Sequence, residues 1–446
     1  SLAPGVFTRM FGPTEEFPDL IVLDTTNPDT ITRVEAEIMG RKALFIVSTK
    51  SGTTVETMSL YRYFYSIKDE NGDNFIAITD PGTPLDSEAQ EKGFWKIFRN
   101  PADIGGRYSS LSYFGLVAAA AMGVDVEEML LRARRMLRLH DANHPAIWLG
   151  AVLGAAQKAG RDKLTIVSTL GWEPYADWLE QLIAESSGKR GTGVLPVIAE
   201  SIFDTSAYGD DRLFVYFRGA HEGSETDEFV EKLREAGHPI VEITVGGPLT
   251  LGREFVRWEI AIAVAGVLLG INPFDEPNVQ EAKDATNAVL KGTSSDVPGD
   301  IVPEQAGEQI ASMVKQGGYL AILAYVDPTD DVQAALAELR NALWSRTGVA
   351  VTIGVGPRYL HSTGQIHKGG PENGAFLMIV ENPDTDIEIP GAEFTFANLF
   401  AAQSSGDAIT LSRHGLPLVR VVIRGGTISQ IQSVTNAIQP SGAAAD

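Results

Sequence analysis

The chain has 446 residues, 58 acidic against 36 basic side chains, a formal net charge of −22, no cysteine and 7 histidines. At about 150 residues per domain the length makes about three domain-sized units, with ample chain to bury a core. The absence of cysteine excludes a disulfide framework, a thiolate nucleophile and a cysteine-ligated metal, and the acidity speaks against binding along a nucleic-acid backbone. The longest apolar stretches, Leu116–Val124 and Ile260–Ile271, fall short of the about twenty residues that span a bilayer. The sequence opens Ser1-Leu2-Ala3-Pro4, with neither an initiator Met nor a basic segment leading into an apolar one. The expectation is a cytoplasmic protein with no membrane or nucleic-acid partner. An anionic ligand needs a local cluster of donors to hold it against the global field.

In chain order, Ala43–Val47 is a short continuous apolar run, as in a buried parallel strand. Residues 53–67 read as a substantially buried helix, and Phe75–Ile78 as the next strand, ended by Asp80-Pro81-Gly82. Helices are expected over 110–122, 126–139 and 145–158. The alternation resumes with strands at Leu164–Val167, Val194–Ile198, Leu213–Phe217 and Ile240–Ile243, and helices over 175–187 and 224–236. After the small-residue stretch Gly292–Gly299 come strands at Tyr319–Tyr325, Val349–Ile353 and Phe376–Val380 and a helix over 329–345, expected to complete or extend the second sheet. The last residues, Ser441–Asp446, read as a frayed tail. This pattern argues for an α/β protein with doubly wound parallel sheets in three αβα layers. The expected divisions are a first domain over 1–143, a second over 144–292, and a linker with a C-terminal portion over 293–446 that extends the second.

The segment Ser48-Thr49-Lys50-Ser51-Gly52-Thr53-Thr54-Val55-Glu56-Thr57 joins a strand to a helix. Ligands of α/β sheets bind at such strand ends, beside helix N-termini. Its hydroxyls, Lys50 and the helix-start amides fit a phosphate monoester, without the G-x-x-x-x-G-K spacing of a nucleotide loop. The competing reading is a helix cap, with Thr53 and Glu56 as a capping box; a cap needs no cation such as Lys50. His140 and His144 stand four apart, a zinc-compatible spacing, but Asp141, Ala142 and Pro145 indicate a loop, so no metal is expected.

The loop resembles the phosphate signature of sugar isomerase domains, in particular the first domain of the glucose-6-phosphate isomerase family. Gly105-Gly106-Arg107-Tyr108-Ser109 resembles that family's G-G-R-[YF]-S motif, and Gln181-x-x-x-Glu185-Ser186-Ser187-Gly188-Lys189 its Q-x-x-x-E-S-x-G-K segment. Arg257-Trp258-Glu259 and Asn272-Pro273-Phe274-Asp275-Glu276-Pro277 resemble its R-W-E helix and N-P-[FY]-D-Q-P. The family's catalytic His precedes N-P-F-D, whereas 193–217 here contains no His; His361-Ser362-Thr363-Gly364-Gln365 lies after it and resembles D-Q-H-S-x-x-Q. That order is most similar to the isomerase half of bacterial transaldolase–glucose-6-phosphate isomerase fusions. The resemblance also implies that a preceding strand and Gly-Gly-Ser loop are missing before Ser1.

The resemblance implies two sugar isomerase domains, no cofactor, a homodimer and reversible isomerisation of glucose 6-phosphate to fructose 6-phosphate. It implies Glu185 as the proton-shuttling base, Arg107 as the enediolate stabiliser and His361 as an acid–base group. Thr49, Lys50, Ser51, Thr53, Thr54, Gln181 and Gly106 would bind the sugar phosphate. A ring-opening Lys near the C-terminus is also implied; no matching segment is present, and Lys368 is the candidate. The alternatives are a sugar-phosphate sensor without turnover and a dual glucose/mannose-phosphate isomerase.

Overall fold

A computed structural model describes residues 2–138, 143–219, 224–294 and 296–438. The chain divides into two compact units. The first takes Ser1–Trp148, Gly246–Ile260 and Thr385–Phe396; the second takes Leu149–Val245, Ala261–Asp384 and Ala397–Asp446.

The first unit holds a three-stranded sheet, β1 (Phe45–Ser48), β2 (Phe75–Thr79) and β3 (Lys96–Arg99), in that order and all parallel. β2, the central strand, is buried along its whole length, which is why it reads as an unbroken apolar run. The helix Val55–Ile67 buries Met58, Leu60, Tyr61, Phe64 and Tyr65. Its aromatic rings meet those of Phe45, Phe75 and Phe94, with Phe45 stacked on Phe75 at 4.9 Å. Aromatic pairs at such distances add stabilisation beyond their buried area. The helix expected over 110–122 starts later, at Tyr113–Ala121, because Ser112 accepts a hydrogen bond from the Phe114 amide (3.4 Å) and residues Gly106–Tyr108 form a separate 3-10 turn.

The second unit holds two four-stranded parallel sheets. One comprises β4 (Lys163–Ser168), β5 (Leu195–Val197), β6 (Arg212–Arg218) and β7 (Ile240–Thr244), in the order β5-β4-β6-β7. The other comprises β8 (Tyr319–Tyr325), β9 (Ala350–Val355), β10 (Gly374–Glu381) and β11 (Leu418–Ile423), in the order β11-β10-β8-β9. The C-terminal strands therefore do not join the ladder of β4–β7. They pair among themselves, with β8 and β10 at the centre and β11, which the sequence reading missed, at one edge. β11 alternates half-buried with buried residues, and that weakens the apolar run by which the other strands were recognised. One apolar core joins Phe214, Phe229 and Leu233 to Leu320, Ile322, Leu336, Leu339 and Val421, so the stretch 292–299 connects parts of a single unit.

No helix among the described residues is long and apolar enough to cross a membrane. His140 and the tail Ser441–Asp446 lie outside the described residues. His144 spends both ring nitrogens locally: Nε2 lies 3.2 Å from the Met136 carbonyl and Nδ1 accepts from the Ala146 amide at 3.2 Å. No group of three metal-ligating side chains occurs among the described residues.

Candidate active site

In the first unit, β1 runs into the loop Thr49–Thr54, which is held against β2. The Thr49 amide donates to Ile78 O at 3.0 Å and the Asp80 amide to Lys50 O at 3.2 Å, so the ladder continues past both strand ends. Gly52 has φ +68°, and a Cβ there would lie 2.8 Å from Leu85 N and 2.9 Å from Thr83 Cβ. Both the left-handed backbone and the close approach require glycine. The helix N-cap is Thr54 rather than Thr53, and it makes no side-chain capping bond, so the capping-box reading does not hold. Thr54 Oγ1 instead meets Thr49 Oγ1 at 2.8 Å, and Ser51 Oγ meets Thr53 Oγ1 at 2.9 Å. Ser51 and Thr53 are exposed and Thr49 is buried. The loop thus presents hydroxyls beside a helix N-terminus, where the macrodipole favours an anion.

Lys50 is not directed only by this loop. Its ammonium forms an ion pair with Asp80 and donates to the Ala102 carbonyl at 2.8 Å. Sequence spacing hides this because Asp80 is 30 residues away, at the end of the neighbouring strand.

Arg107 sits in the 3-10 turn Gly106–Tyr108, reached by the chain after β3, and is 3% exposed. Its guanidinium lies 5.4 Å from the centroid of the Tyr108 ring, a cation–π contact. A Cβ on Gly106 would meet nothing within 4 Å, so the space beside Arg107 is open at that backbone position.

In the second unit, Glu185 lies in the last turn of the helix Tyr175–Ser187 and is 8% exposed. Gln181, one turn earlier, donates through Nε2 to Glu185 Oε2 (3.3 Å) and to the main-chain oxygen of His361 (2.8 Å). A single carboxamide therefore joins two predicted site residues 176 positions apart in the sequence. His361 is half-buried in the 3-10 turn Arg358–His361 that follows β9. One residue before Gln181, burial pushes the Glu180 carboxyl up to about 8; Asp177 adds to the shift and Arg358 opposes it.

The other motif residues have structural partners. Lys189 donates to Asn272 O at 2.7 Å and pairs with Asp275 Oδ1 at 2.8 Å, which ties the N-P-F-D loop to the end of the Glu185 helix. Lys368 is buried and pairs with buried Asp407 at 2.5 Å; Asp407 also accepts from the Tyr359 hydroxyl at 2.5 Å. Next to it, the His367 ring lies 2.9 Å from the Tyr319 hydroxyl, and burial, reinforced by the Lys368 charge, depresses it to about 3. Sequence reasoning missed Asp407, which carries no motif and lies in a distant helix.

The first unit thus carries a hydroxyl- and amide-lined loop at a strand end, and the second a carboxylate bridged by one carboxamide to the His361 main chain. Residues 1–192 match the Phosphoglucose isomerase family model. The glucose-6-phosphate isomerase of Rubrobacter xylanophilus is 30% identical over 329 residues, covering 61% of this chain and 74% of that protein. That of Carboxydothermus hydrogenoformans is 29% identical over 330 residues, covering 61% and 71%. The crystal structure of a glucose-6-phosphate isomerase from Chlamydia trachomatis superposes with a TM-score of 0.54 at 21% identity, covering 66% of this chain and 68% of that one, and shows the shared fold. The chain belongs to the glucose-6-phosphate isomerase family and is an isomerase.

Proposed function

We propose that this isomerase interconverts glucose 6-phosphate and fructose 6-phosphate by proton transfer through a cis-enediolate, the chemistry of glycolysis and gluconeogenesis. The observation that carries the reading is the Gln181 carboxamide, which holds the Glu185 carboxylate and the His361 main chain together. Glu185 takes the proton from C2 of the open-chain aldose and returns it to C1 of the enediolate; a carboxylate shielded from solvent suits this exchange. Arg107 stabilises the negative charge that develops on the enediolate oxygens, which asks for a fixed cation with directed donors. His361 relays the proton at the ring oxygen or O1. Thr49, Ser51, Thr53, Thr54 and the helix-start amides bind the phosphate, with Lys50 supplying positive charge beside it; Gly106 leaves room for the sugar next to Arg107.

Lys368, taken in place of the family's C-terminal Lys, is the candidate ring-opening acid. Its buried pair with Asp407 favours a second reading, in which it supports the loop that carries His361. Lys368→Ala loses the buried pair in either case, so kcat of the folded variant separates them: a ring-opening role lowers it, whereas a supporting role lowers the melting temperature and leaves kcat of the folded variant unchanged.

The decisive experiment is a coupled assay with glucose 6-phosphate and, separately, mannose 6-phosphate, for the wild type and Glu185→Gln. Turnover of glucose 6-phosphate that the substitution lowers about 1,000-fold supports the proposal. Binding without turnover marks a sugar-phosphate sensor, and equal turnover of both sugars marks a dual isomerase. The late position of the His361 motif further supports an isomerase portion of a transaldolase fusion, tested by the neighbouring gene sequence. A cytoplasmic homodimer completes the reading, tested by cell fractionation and light scattering.

A further inference from the structure

Gln365 lies in the short helix Gly364–Gly369 and is 1% exposed. Three of the four hydrogen bonds open to its carboxamide reach other chain segments. Nε2 donates to Gly188 O at 2.8 Å and to Asn278 Oδ1 at 2.9 Å, and Oε1 accepts from the Asn278 amide at 3.2 Å. Gly188 is the C-cap of the helix that carries Glu185, and Asn278 is the N-cap of the helix Val279–Leu290. One planar carboxamide, donor on one side and acceptor on the other, thus closes a clasp on three segments. A carboxamide presents both functions in one plane, and Gln carries it one methylene further from the backbone than Asn.

The clasp is packed without slack. A Cβ on Gly188 would lie 2.3 Å from Ile366 Cα. One on Gly369 would lie 2.5 Å from Asn278 Oδ1, 2.6 Å from Gln365 Nε2 and 2.7 Å from Gly188 O. The Gly191 amide donates to Gly369 O at 3.0 Å, a further tie between the same two segments. The Glu185 helix is therefore fastened to the segment 361–365 on both sides of Glu185. Gln181 reaches the His361 main chain before it, and Gly188 receives Gln365 after it.

We propose that Gln365 is a positioning residue for the isomerisation: through Gly188 and Asn278 it sets where the Glu185 carboxylate stands relative to His361. This rests on the reading of Glu185 as the proton carrier. The physical basis is that proton transfer tolerates little misplacement, and a shift of about 1 Å in a reacting group costs about 100-fold in rate. A residue that acts this way changes turnover and leaves the grip on the phosphate unaltered.

The test measures kcat, KM for glucose 6-phosphate and melting temperature of the full chain. In Gln365→Leu, which keeps the volume and deletes the clasp, kcat is expected to fall about 10- to 100-fold with KM unchanged within about twofold. Should Gln365→Leu not fold, Gly369→Ala carries the test, since its new methyl wedges the clasp without removing a polar group. In a Glu185→Gln background, Gln365→Leu is expected to lower residual turnover no further, because both changes act on the same group. Wild-type kcat in Gln365→Leu, an additive loss in the double variant, or a rise in KM that accounts for the whole effect overturns the proposal. If Glu185→Gln itself keeps full turnover, the reading of Glu185 falls and the inference with it. If Glu185→Gln is inactive and Gln365→Leu is wild type, the inference alone falls.

Discussion

The two units carry their candidate residues in opposite ways. In the first, the loop Thr49–Thr54 offers exposed Ser51 and Thr53 hydroxyls and backbone amides at one strand end; its hydroxyls bond one another, and Ile78, Asp80 and Ala102, which bond it from outside, lie within 52 residues along the chain. In the second, Glu185 is held by Gln181 of its own helix, and that helix is tied to the segment 361–365 by bonds that span 180 and 177 residues. Holding a phosphate needs donors that the chain supplies wherever a strand turns into a helix. Holding a carboxylate at a reacting carbon needs rigid support from elsewhere, because its position as well as its charge enters the rate.

If that contrast is real, the largest effect belongs to the second unit. Glu185→Gln keeps the shape and removes the proposed base, and kcat is expected to fall about 1,000-fold with KM little changed; steady-state kinetics showing a mainly KM effect would erase the distinction between the units. Next comes Lys368→Ala. It leaves the Asp407 carboxylate buried without its cation, which costs about 3–5 kcal/mol of stability, read by urea unfolding. Lost turnover in the variant while it is still folded would in addition give Lys368 to the chemistry.

A smaller effect is expected from the first unit. The double change Ser51→Ala with Thr53→Ala removes two exposed hydroxyls and is expected to raise KM about tenfold, about the worth of one or two hydrogen bonds to a charged group, with kcat unaltered. A fall in kcat with constant KM would place this loop in the chemistry. The smallest effect concerns Glu180. Its folded carboxyl stands at about 8, above the ordinary carboxylate range, so the folded state holds a proton that the unfolded chain has released. That contribution is fully present in acid and is lost as the pH rises toward and through about 8. Glu180→Gln is expected to shrink the drop in melting temperature between pH 5 and pH 8 by about 2 °C. An unchanged drop, measured by differential scanning calorimetry, would remove Glu180 as its source.

Lys50 and Lys368 show where reading along the chain stops. The sequence places a cation in the loop and another near His361, and both are there. Their partners, Asp80 and Asp407, are brought by a neighbouring strand and a distant helix, so the charge available to a ligand is decided by packing. The same holds for the −22 net charge, which makes any anion site depend on local donors. Of those donors, Arg107 is 3% exposed in a tight turn, and Lys50 shares its charge with a carboxylate.

The sequence by itself determined the alternation of strands and helices, because apolar periodicity reports which faces are buried whatever packs on them. It also determined the candidate residues, because the loop, G-G-R-Y-S, Q-x-x-x-E and H-S-T-G-Q segments are each contiguous. Tertiary structure alone decided that the C-terminal strands form their own sheet, that the first unit gathers Gly246–Ile260 and Thr385–Phe396, and that Gln181 and Gln365 fasten the Glu185 helix to the His361 segment. The reason is range: periodicity and capping act over a few residues, whereas strand partners and long-range hydrogen bonds are chosen among all the surfaces that the folded chain brings together.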